Sequence, residues 1–198
     1  MKKSLLFLCG LLIVSALANA TEYKKEETQA CEKDKELLCD LSGNTITGLV
    51  KSYKDGVLAD EKNYKDGQKD GIAKAYYLDN EQLAAEVIYK NNKLNGPVKA
   101  YFNDGSLMNE GEMVDGKKEG IWKTYHPNGK LYAEINFQND KPDGTVKWLD
   151  EDGNEEAVEN WKNGKVVSGY DYDDFGEKKN MTKKDIVDLN KYYEKYPL

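Results

Sequence analysis

The sequence contains no arginine and a single histidine, His126. Arginine is the residue that most often reads phosphate and guanine through two parallel hydrogen bonds, and the chain carries a formal net charge of −7. These features predict that nucleic acid is not a partner. The acidic balance also weakens an attraction to anionic lipid, so association with a membrane surface is disfavoured although scattered lysines leave it open.

The residues needed for most catalytic and metal sites are scarce. One histidine is too few for a histidine-based triad or a multi-histidine metal centre. Pairs of carboxylates can hydrolyse glycosidic bonds without histidine, but the acidic residues here recur at regular positions, and none of them stands out as a catalytic pair. The sequence therefore predicts no enzyme activity, no cofactor and no metal site.

After residue 20 the chain has no long apolar run. Residues 1–20 combine Lys2 and Lys3 with a mostly apolar stretch and end in Ala18-Asn19-Ala20. A short positive region, an apolar segment and an A-x-A site are typical of a cleavable signal peptide. We therefore expect export to the periplasm, the cell surface or the medium. Cleavage would remove two of the 29 basic residues, which leaves 27 − 36 = −9 as the net charge.

What the sequence does contain is a repeated unit. Each unit opens on a glycine, has lysine three residues later, and then has a turn rich in Asp, Asn and Gly. The units start at Gly48, Gly71, Gly96, Gly120 and Gly144. Because Asn128-Gly129 is a strong signal for a tight turn between two strands, each unit is expected to be a β-hairpin. A fixed period in this range is typical of proteins whose repeats pack mainly on their neighbours.

The hairpin register explains why lysine and glutamate recur. A two-residue loop at Asn128-Gly129 would place Lys123 opposite Glu134 and Tyr125 opposite Tyr132. The same count in the third unit, and three-residue turns in the first two, give the predicted pairs Lys51–Glu61, Lys74–Glu86, Lys99–Glu110 and Lys123–Glu134. Val158 takes the glutamate place in the fifth unit. Opposite charges across a strand pair contribute roughly 0.2 to 1 kcal/mol and fix the register, so we interpret these residues as structural.

Alternation in the fourth unit separates two faces. Leu131, Ala133, Ile135 and Phe137 would share one face of the second strand, with Tyr132, Glu134 and Asn136 on the other. The first face is expected to be the core. Aromatic residues offer a large contact area at low entropic cost, and five are candidate partner-binding residues as well as possible packing residues. They are Tyr76, Tyr101, Tyr125, Trp122 and Trp148.

The chain has three cysteines, Cys9, Cys31 and Cys39. An exported protein that keeps two of them favours a disulfide between Cys31 and Cys39, whereas two free cysteines packed under the first repeat are the alternative. On one straight helix their α-carbons would lie about 12 Å apart, beyond the reach of a disulfide. If the bond forms, residues 32–38 must bend.

The segment from residue 169 onwards predicts an acidic end of the last hairpin and then a helix. Thr182 followed by Asp185 is a helix-start signal, and Ile186, Leu189 and Tyr193 follow at helical spacing. We expect this helix to cover the open edge of the final strand. A partner-binding helix is the alternative.

Two motifs resemble the bacterial variant of the MORN repeat. They are Gly120-Ile-Trp-Lys-Thr-Tyr with Asn128-Gly129-Lys130-Leu131, and Asp115-Gly116-Lys117-Lys118-Glu119-Gly120. The resemblance covers roughly Gly43 to Ser168. Bacterial members are often labelled antitoxins of toxin-antitoxin systems, and other MORN proteins are described as membrane-associating or protein-binding scaffolds. No residue-level signature of either role can be transferred to this chain.

Together these observations predict a mainly β protein. Residues 43–168 would form an elongated antiparallel meander of about five β-hairpins, between a polar segment at 21–42 and a C-terminal capping helix within 169–198. The expected function is that of an exported, non-enzymatic scaffold that binds another protein. The alternatives are an antitoxin-type protein that neutralises a toxin, and a repeat protein that associates with phospholipid.

Overall fold

The computed structural model describes residues 21–32, 34–173, 175–195 and 197–198. The predicted signal peptide, residues 1–20, lies outside them. In chain order the strands are β1 (Thr21–Lys24), β2 (Thr28–Ala30), β3 (Leu38–Asp40), β4 (Gly48–Lys54), β5 (Val57–Lys65), β6 (Gln68–Tyr76), β7 (Leu83–Lys90), β8 (Lys93–Tyr101), β9 (Leu107–Val114), β10 (Lys117–Tyr125), β11 (Leu131–Gln138), β12 (Lys141–Pro142), β13 (Gly144–Leu149), β14 (Glu155–Lys162), β15 (Lys165–Tyr172) and β16 (Lys178–Asn180). A short 3-10 helix spans Lys25–Glu27, and α1 spans Lys183–Lys195.

Most strands form one long sheet in which chain neighbours are also spatial neighbours. From β4 onwards the order follows the sequence, with β12 as a short side pairing on β11. These pairings are antiparallel, whereas β1 adds to β4 in parallel at the N-terminal edge. The repeats therefore form the mainly β, antiparallel hairpin meander that their period predicts.

The turn in the fourth repeat is longer than the two-residue loop expected from Asn128-Gly129. Residues 126–130 form the loop, closed by a 2.8 Å hydrogen bond from His126 N to Lys130 O. Just before this loop the register of the strand pair shifts between Thr124 and Tyr125, so Tyr125 lies opposite Leu131 rather than Tyr132. The predicted Tyr125–Tyr132 pairing is wrong because the turn ends in a bulge. The predicted grouping of Leu131 with Ala133 fails for the same reason.

The turn in the first repeat also differs from the three-residue turn that the sequence predicts. There Lys54 pairs with Val57 around a two-residue turn, and the extra residue sits in a register shift between Ser52 and Tyr53. The predicted three-residue turn is wrong, although Lys51 still lies opposite Glu61. A turn and a bulge can place the same pair in register, so counting residues does not distinguish them.

The opening glycine of each repeat lies opposite a large side chain. The pairs are Gly48–Tyr64, Gly71–Tyr89, Gly96–Met113, Gly120–Phe137 and Gly144–Trp161. Gly120 has φ of 67°, a left-handed conformation that residues with a side chain rarely adopt. An added Cβ at Gly120 would meet no atom within 4 Å, so the backbone conformation and not a lack of space explains the glycine there.

The N-terminal segment folds into a small hairpin of β2 and β3. A disulfide joins Cys31 to Cys39, whose α-carbons are 5.1 Å apart, and the chain between them bends as that bond requires. Leu38 N donates to Gly67 O at 2.8 Å, and Gly67 N donates to Ile46 O at 2.7 Å. This hairpin therefore packs on the turn between β5 and β6 and covers one side of the first repeat.

The largest buried apolar cluster lies in the last two repeats. It contains Ala133, Ile135, Phe137, Val146, Trp161 and Val166. Tyr193 of α1 and Leu198 pack against it. Asn190 of α1 bonds the backbone of Val166 on β15 in both directions, at 2.9 and 3.0 Å. The helix thus covers the end of the sheet and satisfies backbone groups at the start of its last long strand.

Candidate functional site

The lysines and glutamates of the repeats form one continuous line across the sheet. Glu61, for example, lies between Lys51 of its own hairpin and Lys74 of the next. The line runs through Lys51, Glu61, Lys74, Glu86, Lys99, Glu110, Lys123, Glu134 and Lys147, and it ends opposite Val158. Each charge is therefore shared between neighbouring repeats, so the ladder joins hairpins as well as closing them.

Ion pairs occur along this ladder at moderate distances. Lys Nζ and Glu Oε atoms are 3.5 Å apart in the Lys51–Glu61 pair, 3.6 Å in Lys74–Glu86 and 3.7 Å in Lys123–Glu134. All of these side chains are partly exposed to solvent, and exposed pairs contribute little individually. Their regular placement fixes the register of neighbouring hairpins.

Two of the candidate tyrosines are hydrogen-bonded to the ladder. The hydroxyl of Tyr76 donates to Glu61 Oε2 at 2.8 Å, and that of Tyr125 donates to Glu110 Oε1 at 2.8 Å. Desolvation and the bond to Glu61 raise the pKa of Tyr76 to about 12. The backbone oxygen of Tyr101 accepts a bond of 2.7 Å from the Tyr77 hydroxyl. Tyr76 and Tyr125 therefore have a packing role on the ladder face.

The two candidate tryptophans lie on the opposite face. Trp122 is paired with Ile135 and Trp148 with Ala133, and both indoles pack against the buried cluster. The five residues named as candidate partner contacts are consequently divided between the two faces of the sheet. They do not form one surface.

The face that carries the cluster continues into the second and third repeats, where its side chains are smaller, whereas the first repeat places Asp60 and Lys62 in the same rows. One row consists of Ala75, Ala85 and Ala100, and the next row consists of Ala73, Val87 and Val98. Ala133, in the same row as Ala85, is fully buried, whereas Ala85 and Ala100 are only half-buried. The sheet therefore presents one face whose C-terminal end is covered and whose second and third repeats, apart from the buried Ala73, remain partly accessible. We call the accessible part, on β6 to β8, the open face.

A carboxylate interrupts the apolar row at the covered end. Glu159 on β14 is paired with Val146 and is 3% exposed. Its carboxylate accepts a 2.9 Å bond from Trp161 Nε1 and bonds of 3.1 and 3.3 Å from the Tyr193 hydroxyl. Burial raises the pKa of Glu159, and these donors oppose the shift. A strand residue thus contacts α1 through a buried ionisable group.

The remaining candidates for chemistry have structural contacts. His126 Nε2 lies 2.8 Å from Leu149 O, and its ring meets that of Tyr132 edge to face at 5.0 Å. Within the described part of the chain, no group of three His, Cys, Asp or Glu side chains is placed to hold a metal ion. Nor does any described helix have the length and apolarity needed to cross a membrane.

Sequence reasoning did not identify Glu159 or Gly111 as special. Glu159 occupies the repeat position that holds Val87 and Ile135 in two earlier units but Lys62 in the first, so a charge at this position gave no signal of burial. Gly111 fills the same position in the third unit. Trp122 lies over it, and an added Cβ would overlap the indole.

Comparison with known proteins gives a family for one repeat. Residues 118–139 match the family model described as MORN repeat variant. No curated protein matches the chain. A solved structure it is similar to is the crystal structure of the GtfA/B complex bound to UDP and GlcNAc, with 13% identity and a TM-score of 0.26 over 66% of this chain. The match covers 26% of that chain.

The matched segment contains β10 and most of the fourth hairpin, including Lys123, Tyr125 and Glu134. The same ladder register recurs in the hairpins before it, from Lys51 onwards. The protein is therefore a β-hairpin repeat protein that carries a MORN repeat variant at residues 118–139.

Proposed function

We propose that this protein is an exported, non-enzymatic scaffold that binds another protein through the open face of its sheet. A MORN repeat is consistent with a repeat protein that binds proteins or membranes. Export is supported by the signal-peptide features of residues 1–20 and by the Cys31–Cys39 disulfide, because disulfides persist in oxidising compartments.

The observation that carries the proposal is the contrast along one sheet face. At the C-terminal end, α1 and Leu198 pack on the apolar rows. In the second and third repeats the same rows continue through Ala85, Ala100 and Val98, and these residues remain partly accessible. Because this face binds a helix at its C-terminal end, the accessible part of the same face is a candidate binding surface for a second helix.

The partner expected on this face is an amphipathic helix with bulky apolar side chains. The open face consists of alanine and valine side chains. Where the fourth repeat has Trp122 and Thr124, the third has Val98 and Ala100. Small floor residues leave space for large side chains from a partner. At the covered end Tyr193 of α1 shows that an aromatic side chain from a helix packs on this face, since its ring meets that of Trp161 at a centroid distance of 4.8 Å.

The test is a crosslinking pull-down with residues 21–198 as bait against an envelope fraction. Ala85→Lys places a charge on the open face. Ile72→Lys is the matched control, because Ile72 is exposed and pairs with Ile88 in a row of the opposite face. Circular dichroism would verify that both variants keep their β-structure.

A stoichiometric partner that is lost with Ala85→Lys and retained with Ile72→Lys would support the proposal. Retention by both variants, or no reproducible partner, would overturn it. A Tyr101→Ala/Tyr125→Ala variant separates the two faces, since loss with this folded variant alone would move the contact to the ladder face. Sedimentation with phosphatidylglycerol vesicles provides the lipid arm, and binding there without a protein partner would reject a protein scaffold.

A further inference from the structure

The covered end of the sheet face suggests a way to regulate access to it. We propose that α1 is a releasable cover over the C-terminal end of this face, and that the protonation state of Glu159 sets how firmly the cover is seated. Release of α1 would lengthen the docking surface, and this consequence rests on the proposed function. The seating itself does not depend on any partner.

α1 contacts the sheet through a few side chains. None of its residues is fully buried. Its direct contacts with the sheet include the Asn190–Val166 hydrogen bonds and the Tyr193 ring against Trp161. Elements with few buried contacts open at lower free energy than the core of a fold. α1 is therefore the natural candidate for local release.

The residues beneath α1 and the final segment of the chain form an aromatic surface. Trp161 and Phe137 belong to the buried cluster, with Trp122 beside them. Lys118 Nζ lies 4.9 Å from the ring centroids of both Trp122 and Phe137 and donates to Leu198 O at 2.9 Å. Release of the cover would expose apolar and aromatic area of the kind that dominates protein interfaces.

Glu159 connects this cover to protonation. In the folded protein the Glu159 carboxyl group is almost completely buried, and the Tyr193 hydroxyl of α1 contacts it directly. Departure of α1 would return that group to solvent, where ionisation is favourable. Burial disfavours the ionised carboxylate more than the Tyr193 hydrogen bond favours it, so packing of α1 and ionisation of Glu159 oppose each other.

The direction of the coupling follows from the environment of the group. Burial raises the pKa of Glu159, while the hydrogen bonds from the Trp161 indole and the Tyr193 hydroxyl oppose that shift. Nε1 of Trp148 is buried without a hydrogen-bond partner. The titratable groups that face Glu159 are Tyr193 from α1 and Tyr132 from β11, and burial raises the pKa of both, so they stay neutral.

A carboxyl group whose pKa is raised in the seated state stabilises that state when protonated. The stabilisation is complete below the ordinary pKa of glutamate, and it is lost as the pH rises through the raised value. Each unit of pKa elevation changes the seating equilibrium about tenfold. Asp185, at the start of α1, affects the stability of the helix in a different pH range. Hydrogen bonds with Thr182 lower its pKa, so its stabilising effect is lost only as the pH falls below the ordinary range of aspartate.

The experiment follows 1-anilinonaphthalene-8-sulfonate fluorescence and tryptophan emission of the purified chain from roughly pH 4.5 to 8, a range that brackets the ordinary glutamate pKa and the values above it. All three tryptophans lie in or against the cluster, so their emission reports its exposure. We expect dye binding to rise with pH. Glu159→Gln should remove the rise, because the amide does not ionise, whereas Glu156→Gln, at an exposed neighbouring position, should keep it.

Tyr193→Phe provides a second variant in case Glu159→Gln does not fold. It removes the hydroxyl that contacts Glu159 and should increase dye binding at every pH, and Tyr192→Phe is its matched control. A flat profile in the unaltered protein, or an unchanged rise in folded Glu159→Gln, would overturn the proposal. Because no partner is used, these outcomes are independent of the pull-down.

Discussion

The indole of Trp122 on β10 lies directly over Gly111 on β9, and a side chain at residue 111 would overlap the ring. Trp122 Nε1 also donates a 3.1 Å hydrogen bond to the backbone oxygen of Glu112. The small residue and the large one therefore form a matched pair across two adjacent repeats. This pair lies where the small floor of the early repeats gives way to the aromatic cluster.

Gly111→Ala is expected to destabilise the fold. The new methyl group must displace the indole or the backbone, and overpacking of this kind typically costs about 1 to 3 kcal/mol. Urea unfolding would measure the loss. In a Trp122→Ala background the same change should cost much less, because the obstructing ring is gone. Equal costs in both backgrounds would contradict the close packing of these two residues.

Reversal of one ladder charge should weaken the sheet in a salt-dependent manner. Lys99 lies between Glu86 and Glu110, so Lys99→Glu replaces two favourable neighbours by two repulsive ones. A loss of about 1 kcal/mol is expected at low ionic strength, with a smaller loss in high salt. The control is Lys93→Glu, because Lys93 lies opposite Lys90 and its reversal relieves a like-charge pair. A similar loss in both variants would show that the ladder charges have no special role.

Removal of the disulfide should act on the N-terminal hairpin and leave the repeats folded. The Cys31–Cys39 bond closes a short loop, and chain-entropy arguments assign such a bond about 2 to 3 kcal/mol. A Cys31→Ser/Cys39→Ser variant should show faster hydrogen exchange at residues 28–47. Exchange in β10 and β11 serves as the internal reference. Uniform loss of protection across the sheet would contradict this local role.

The Tyr76 hydroxyl should contribute stability that disappears at high pH. Tyr76→Phe removes the 2.8 Å bond to Glu61, and a cost of about 1 kcal/mol is expected near neutral pH. The pKa of Tyr76 is raised to about 12, so its contribution is complete below the ordinary tyrosine pKa of about 10. The difference between the two proteins should shrink as the pH rises from about 10 towards 12.

Urea unfolding at about pH 8 and pH 11, on either side of the ordinary tyrosine pKa, would test this dependence. Tyr53→Phe is the matched control at the same position of the first repeat, where the tyrosine is exposed. We expect little change there. A pH-independent cost for Tyr76→Phe would show that its hydroxyl does not stabilise the fold through Glu61.

The repeat period allowed much of the fold to be predicted. Hairpins, ladder pairs such as Lys99 with Glu110, and the C-terminal helix all follow from local patterns of charge, turn residues and alternation. The Tyr125–Tyr132 pairing failed because a bulge and a longer loop satisfy the same turn sequence. Local chemistry specified that the chain turns there, but it did not specify how many residues the turn uses.

The candidate site was less accessible to such reasoning. Alternation predicted that the face of Ala133, Ile135 and Phe137 is the core, but it could not show how far along the sheet that face is covered. The extent of the covered region depends on how Tyr193 of α1 packs against Trp161, a contact between residues about thirty positions apart in the chain. No local pattern encodes it.

The sequence by itself determined the repeated hairpin, its charge ladder and its acidic, arginine-free composition, because each of these depends on neighbours in the chain or across one turn. Tertiary structure decided the rest. It buried Glu159 against Tyr193 of α1, placed Trp122 over Gly111 and left most of the alanine rows of the second and third repeats partly accessible. Burial is a property of the assembled layers, so an acidic residue that reads as surface in the sequence becomes a buried group only when a distant helix packs over it.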